Sequence, residues 1–144
     1  MKNSNFNKHK VAVIGCGYWG SVITNSLLKI GIRNIYIYDQ NYRNSLILKK
    51  KYKNLMISKS YKYLLNDKTV PFFFFATPPS INFKIVREAI IKNKMIFLEK
   101  PGFVKVHEFK KINALLDKMK KLIMFDYIYC FNDYINYIKK IIQS

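Results

Sequence analysis

Residues 11–20, Val11-Ala12-Val13-Ile14-Gly15-Cys16-Gly17-Tyr18-Trp19-Gly20, pass without a gap from a short apolar run into the spacing G-x-G-x-x-G. Four consecutive apolar residues read as a strand buried on both faces. Behind the glycines, Ser21 to Ile30 has an apolar helical pattern. Strand, glycine turn and helix in this order form the setting in which the glycines carry meaning. The motif assigns Gly15 to the tight turn, Gly17 to close approach of a pyrophosphate, and Gly20 to close packing of helix on strand. The first turn of the helix adds free N–H groups and partial positive charge.

Asn34 to Tyr38 reads as a second strand, and Asp39 closes it. Asp39 stands about 20 residues after the glycines, where a dinucleotide fold carries the acid that binds the adenosine ribose. A carboxylate there accepts from the ribose hydroxyls and repels a 2′-phosphate, so NAD is favoured over NADP. Arg43, four positions on, keeps NADP open, because a nearby arginine can hold that phosphate. An ordinary glycine turn followed by an ordinary strand-end Asp is the bland alternative. The shared register of strand, loop, helix, strand and acid weighs against it.

The 144 residues suit one domain with a real core, and half of them are hydrophobic, which excludes a disordered chain. The charge is +18, from 26 Lys and Arg against 8 Asp and Glu, which raises nucleic-acid binding as an alternative function. Against it, only Arg33, Arg43 and Arg87 are arginines, and the lysines are scattered over every element. A solvated basic surface is the simpler reading. Cys16 and Cys130 form no CxxC or Cys/His pattern, so neither a disulfide framework nor a metal site is expected. Met1 to Lys10 lacks the apolar core of a signal peptide, and the longest apolar run, Val70 to Ala76, is too short to span a bilayer. The expected setting is cytoplasmic, without a membrane.

Along the chain, Gly31 ends the first helix, whose expected buried stripe is Ile23, Leu27 and Ile30. Helix Tyr42–Tyr52, strand Leu55–Ile57 and a brief helix capped by Ser60 follow. Val70 to Ala76 reads as a central strand with Pro71 at its start. Next come a helix over Ser80–Lys92, a strand over Met95–Leu98, and a helix striped by Ile112, Leu115, Leu116 and Met119. A sixth strand over Leu122–Tyr129 and a last helix over Asp133–Gln143, with Tyr134, Ile138, Ile141 and Ile142 facing inward, complete the pattern. The expected fold class is α/β, a Rossmann-type doubly wound, mainly parallel sheet with helices on both faces. The expected organisation is a polar tail over 1–9, a dinucleotide-binding domain over 10–129, and a helix over 130–144 of the kind that leads into a second domain.

In such a sheet, ligands bind beyond the carboxyl ends of the strands. Three groups fall there: the glycine loop, Thr77-Pro78-Pro79 after the fourth strand, and Glu99-Lys100-Pro101 after the fifth. Thr77 brings a hydroxyl, the prolines a rigid wall, Glu99 an acceptor for a ribose hydroxyl. Lys100 is a candidate proton or hydrogen-bond donor to a substrate oxygen. A strand terminator and a surface lysine are the plain alternatives. Taken together, GCGYWG at 15–20, Asp39, ATPP at 76–79 and EKP at 99–101 resemble the nucleotide-binding half of the Gfo/Idh/MocA oxidoreductases. EKP is the most specific part. The resemblance runs from about Lys10 to the end of the chain and includes Phe125–Tyr129, similar to the family strand that leaves this domain.

The resemblance implies an NAD(P)-dependent dehydrogenase that moves a hydride between nicotinamide and a hydroxyl-bearing carbon, with GCGYWG similar to members acting on sugars and nucleotide sugars. It implies that Gly15, Gly17, Tyr18, Trp19 and Gly20 lie along the pyrophosphate and that Asp39 holds the adenosine ribose. Thr77 and Pro78 would line the cofactor cleft, Glu99 would contact the nicotinamide ribose, and Lys100 would be the catalytic-site lysine. The chain also departs from the family. Asn82 stands near a family histidine, and Tyr127, with Asp126 beside it, matches another. The family's second α/β domain, which carries most of the substrate pocket, is expected to be missing from these residues. His9 and His107 are not expected to replace its proton-transferring group. The open alternatives are an enzyme completed by a separate chain or a homo-oligomer, a truncated non-catalytic relative that at most binds the nucleotide, and a basic nucleic-acid-binding domain.

Overall fold

A computed structural model describes residues 9–143 of the chain. The polar tail expected over 1–9 lies, apart from His9, outside the described residues. Among the described residues there are six strands: β1 (Lys10–Ile14), β2 (Asn34–Tyr38), β3 (Met56–Ile57), β4 (Phe72–Phe75), β5 (Met95–Leu98) and β6 (Ile123–Phe125). Between and after them come helices α1 (Tyr18–Lys29), α2 (Tyr42–Lys51), α3 (Tyr61–Asn66), α4 (Pro79–Ile91), α5 (Val106–Met119) and α6 (Asp133–Gln143).

The strands form one sheet in the order β3-β2-β1-β4-β5-β6, and every pairing is parallel. This is the doubly wound Rossmann order, more uniform than the mainly parallel sheet expected. Consecutive strands step outward from β1 in one direction and then from β4 in the other. The loops after β1 and β4 therefore diverge to opposite faces, and a crevice opens between them.

The alternation of side chains across the strands divides the core in two. Ala12, Ile14, Phe73, Phe75, Ile96 and Leu98 face one layer, where Leu64, Val86, Ala89, Ile90 and Ile112 of α3, α4 and α5 cover them. Val11, Val13, Ile35 and Ile37 face the other, under Ile23 and Leu27 of α1 and Leu48 of α2. On this second face the β4–β6 end is uncovered: Met95 and Met124 are half exposed beside Phe74 and Phe97.

Several expected boundaries shift. α1 begins at Tyr18 rather than Ser21, because Gly17 is the extended cap and Gly20 packs inside the first turn. Its end is a Schellman arrangement: Gly31, at φ +95°, donates to the Leu28 carbonyl and Ile32 to that of Leu27. That turn swings Ile30 outward, so the buried stripe is Gly20, Ile23, Thr24 and Leu27 rather than one ending at Ile30. β4 begins after Pro71, which cannot donate to the ladder. β6 is far shorter than Leu122–Tyr129. Its partner among the described residues, β5, ends at Leu98, so the ladder runs out when Asp126 donates to the Leu98 carbonyl. The chain then turns through a 3₁₀ segment, Ile128–Phe131. α6 forms as expected but buries none of its side chains, so Tyr134, Ile138, Ile141 and Ile142 do not face inward. No helix among the described residues is long and apolar enough to cross a membrane.

Candidate functional site

The crevice between the β1 and β4 loops is a cleft of about 780 Å³ along the carboxyl ends of β1, β2, β4 and β5. That volume lies within the usual range for small-molecule sites, about 300–1,000 Å³. Of the site residues expected from sequence, all but Tyr18 and Gly20 line it. The two exceptions have different causes. Gly20 lies beneath the floor: a Cβ there would collide with the Gly15 carbonyl, so its hydrogen is what lets α1 rest on the turn. Tyr18 is three-quarters exposed, and its ring turns outward to meet Trp19 edge-on at 5.2 Å.

The floor is backbone. Gly15 sits at φ +96°, and a Cβ on it would strike the carbonyl of Ala76. The β1 turn and the β4 end thus touch directly. At Gly17 the opposite holds: a Cβ would meet nothing within 4 Å, because the position faces the open cleft. The first turn of α1 follows, with no acidic side chain to satisfy its amides. These features fit an anionic group lying over Gly17.

At one end of the cleft, Asp39 joins the β1 and β2 loops. Its Oδ2 accepts the Cys16 N–H at 2.7 Å and its Oδ1 the Asn41 N–H at 2.8 Å. Each oxygen keeps acceptor capacity for a further donor. Arg43 is exposed on α2 and does not line the cleft; its N–H donates to the Asn41 side chain. Cys16 points the other way, into the core, 3.6 Å from the Ser45 hydroxyl. Burial pushes its thiol up to about 11, with Ser45 opposing and Asp39 adding to the shift. It stays a neutral packing group.

The middle wall comes from the β4 loop. The Thr77 hydroxyl donates to Asn82 Oδ1 at 2.6 Å, and Asn82 Nδ2 donates to the Gly102 carbonyl at 2.9 Å. Asn82 is fully buried in the first turns of α4. Tyr61, from the start of α3, also lines the cleft beside Tyr38. Burial first, then Glu88, pushes its phenol up to about 12.

At the far end, Glu99 and Lys100 follow β5, and the Lys100–Pro101 peptide is cis. Lys100 is exposed, with Nζ 5.8 Å from the centre of the Trp19 ring, within cation–π reach at the mouth. Glu99 is only 6% exposed. Its Oε2 accepts the Lys100 N–H at 3.2 Å, whereas Oε1 is buried without a donor. Burial, then hydrogen bonding and repulsion from Asp126, push its carboxyl up to about 7, against the pull of Lys100. In the sequence Asp126 stands out only as a neighbour of Tyr127. Its place beside Glu99 follows once β6 is laid in register on β5. Among the described residues, no group of three or more His, Cys, Asp or Glu side chains could hold a metal ion.

The profile of an oxidoreductase family with an NAD-binding Rossmann fold, Gfo/Idh/MocA, matches residues 9–127. No curated protein matches the chain. Among solved structures, GenD2 from gentamicin A biosynthesis, in complex with NAD, is 20% identical with a TM-score of 0.74, over 90% of this chain and 38% of that one. UDP-N-acetylglucosamine 3-dehydrogenase GnnA from Acidithiobacillus ferrooxidans is 18% identical with a TM-score of 0.79, over 91% of this chain and 41% of that one. An NAD-binding protein from Listeria innocua is 22% identical with a TM-score of 0.71, over 83% of this chain and 35% of that one. At these identities the likeness is one of fold. The chain spans well under half the length of each of these structures.

Proposed function

The chain belongs to the Gfo/Idh/MocA oxidoreductase family as an NAD-binding Rossmann domain, and from that premise we propose that its cleft forms the cofactor half of a sugar-type dehydrogenase. The observation that carries the reading is the continuous cleft from Asp39, past the open Gly17 position, to Glu99 and Lys100. Its sequence of chemistry matches the parts of a dinucleotide: acceptor for a ribose, cradle for a pyrophosphate, acid and cation for the reactive end.

In this reading Asp39 accepts the adenosine ribose hydroxyls through the lone pairs that Cys16 and Asn41 leave free. Gly15, Gly17 and the first-turn amides of Tyr18, Trp19 and Gly20 hold the pyrophosphate; Tyr18 and Gly20 act through backbone alone. Thr77 and Pro78 form the wall, with Thr77 fixed by Asn82. Glu99 meets the nicotinamide ribose, and Lys100 orients the substrate hydroxyl from the mouth. The bound nicotinamide supplies hydride acceptance and donation. NAD is preferred over NADP, since Asp39 repels a 2′-phosphate and Arg43 stays outside the cleft.

The substrate class we propose is a sugar or nucleotide sugar, in keeping with the GCGYWG stretch and with a nucleotide-sugar dehydrogenase among the structural neighbours. Hydride transfer needs the substrate held close in a shielded site. In this reading a separate chain or a second copy supplies the wall that shields the substrate. Both cysteines are free, which suits a reducing, cytoplasmic setting. Calorimetric titration with NADH tests the reading. Saturable binding by the wild type, lost in Asp39→Ala, supports it; no binding by the folded wild type overturns it.

A further inference from the structure

Glu99 and Asp126 come from neighbouring parallel strands. β5 and β6 pair Leu98 with Phe125, so the next residues, Glu99 and Asp126, leave the sheet side by side. The Asp126 N–H donates to the Leu98 carbonyl at 2.9 Å, which pins that residue at the cleft edge. The Asp126 carboxyl is close enough to that of Glu99 to push it up, beside the larger effect of burial. Two ionised carboxylates can only accept, and they repel. Glu99 Oε1 is moreover buried without a donor. One proton held between the two acids answers both problems.

We infer that Asp126 is a positioning residue that keeps a proton on Glu99, and that loss of this proton sets the preference of the cleft for oxidised over reduced dinucleotide. The inference rests on the cofactor reading above, which brings the nicotinamide to Glu99. The oxidised ring carries a positive charge and the reduced ring does not. A protonated Glu99 treats the two rings alike. Once the proton leaves to solvent, the anion attracts the oxidised ring selectively.

The other charged group facing Glu99 is Lys100, from its own turn, which favours the ionised form. The side chains arriving from the β4 loop and α4, Thr77 and Asn82, are neutral and hydrogen-bonded to each other. Trp19 from α1 is neutral and engaged with Lys100. Asp126 is therefore the acidic neighbour that, together with burial, holds the proton on Glu99 against Lys100.

The test measures binding of NAD⁺ and NADH to the chain, at constant ionic strength, from about pH 5.5 to about pH 8.5. For the wild type, the ratio Kd(NADH)/Kd(NAD⁺) should rise across that range by about five- to tenfold, the size of a partly screened charge contact. Asp126→Asn should move the rise in the ratio to lower pH, since burial alone then holds the proton on Glu99. Glu99→Gln should flatten the ratio near its low-pH value. A merely structural Asp126 would weaken both ligands together and leave the rise where it is in the wild type, which overturns the inference. A companion NMR titration of the Glu99 side-chain carbonyl in ligand-free protein should show its midpoint move to lower pH in Asp126→Asn; an unmoved midpoint also overturns it. If both ligands bind and the wild-type ratio is flat, this inference falls and the cofactor reading stands. If neither ligand binds, the cofactor reading falls and takes the inference with it.

Discussion

Asn82 and Gly102 are joined by a buried hydrogen bond of 2.9 Å, from the Asn82 side-chain amide to the Gly102 carbonyl. One amide thereby ties the loop after β4 to the turn that presents Lys100. Its oxygen simultaneously fixes the Thr77 hydroxyl. Replacing Asn82 with Leu keeps the heavy-atom branching, in a somewhat larger side chain, but leaves a buried carbonyl and a hydroxyl unpartnered. The expected loss is about 2 kcal/mol of folding stability, read by urea denaturation, together with weaker NADH binding. Unchanged stability in Asn82→Leu would show that the tie is replaced by water.

The glycine loop separates folding from binding. At Gly20 a Cβ runs into the Gly15 carbonyl, which is backbone and cannot step aside. Gly20→Ala should cost about 3 kcal/mol or more. At Gly17 the backbone is in an ordinary region, φ −72°, and the Cβ would enter open cleft. Gly17→Ala should change stability by no more than about 0.5 kcal/mol, yet weaken NADH about tenfold or more by occupying the pyrophosphate position. Thermal melts and calorimetry on the two variants check the contrast. Equal damage to binding and stability in Gly17→Ala would count against a ligand over that glycine.

The sheet was legible because each strand is a short apolar run bounded by turn residues, and the parallel order follows from the alternation with helices. The ends of the cleft were legible because Asp39 and Glu99-Lys100-Pro101 immediately follow strands. What the residues alone did not reveal depends on registration between distant segments. Asn82 is marked in the sequence only as standing near a family histidine, and its tie to Thr77 and Gly102 appears once α4 is laid against the Gly102 turn. Asp126 gains its meaning only when β6 pairs with β5 and stops at Phe125. Periodicity likewise predicts an apolar face on α6 but not what covers it, and it extends the buried stripe to Ile30 because a helix stop at Gly31 does not by itself say that the turn swings Ile30 outward.

Glu99 also links stability to pH. Its carboxyl rises from the usual 4.5 to about 7, so between those values the folded chain holds a proton that the unfolded chain has released. Stability must therefore fall as pH rises through that window, and the penalty is absent below it. Glu99→Gln mimics the protonated form and removes the penalty. Its advantage over the wild type should be near zero at about pH 4.5 and grow to on the order of 1 kcal/mol above about pH 7, after allowance for solvent screening. Melting curves of both proteins across the range measure this. A difference that stays constant with pH would mean that Glu99 titrates at its ordinary value.

α6 should drive self-association that salt strengthens. Ile138 and Ile142 are one turn apart on the helix, and both are at least half exposed. The uncovered end of the sheet adds Met95 and Met124. A chain of net charge +18 repels its own copies at low ionic strength, and screening removes that barrier while leaving apolar attraction intact. Sedimentation velocity should therefore show monomer at low salt and larger species as salt rises. The double variant Ile138→Gln, Ile142→Gln keeps both the charge and the helix propensity, so any change reports apolar surface alone. It should stay monomeric to higher salt, with a melting temperature close to wild type because neither side chain belongs to the core. If it associates as readily as the wild type, α6 is not the adhesive surface, and the open β4–β6 face becomes the surface to substitute next.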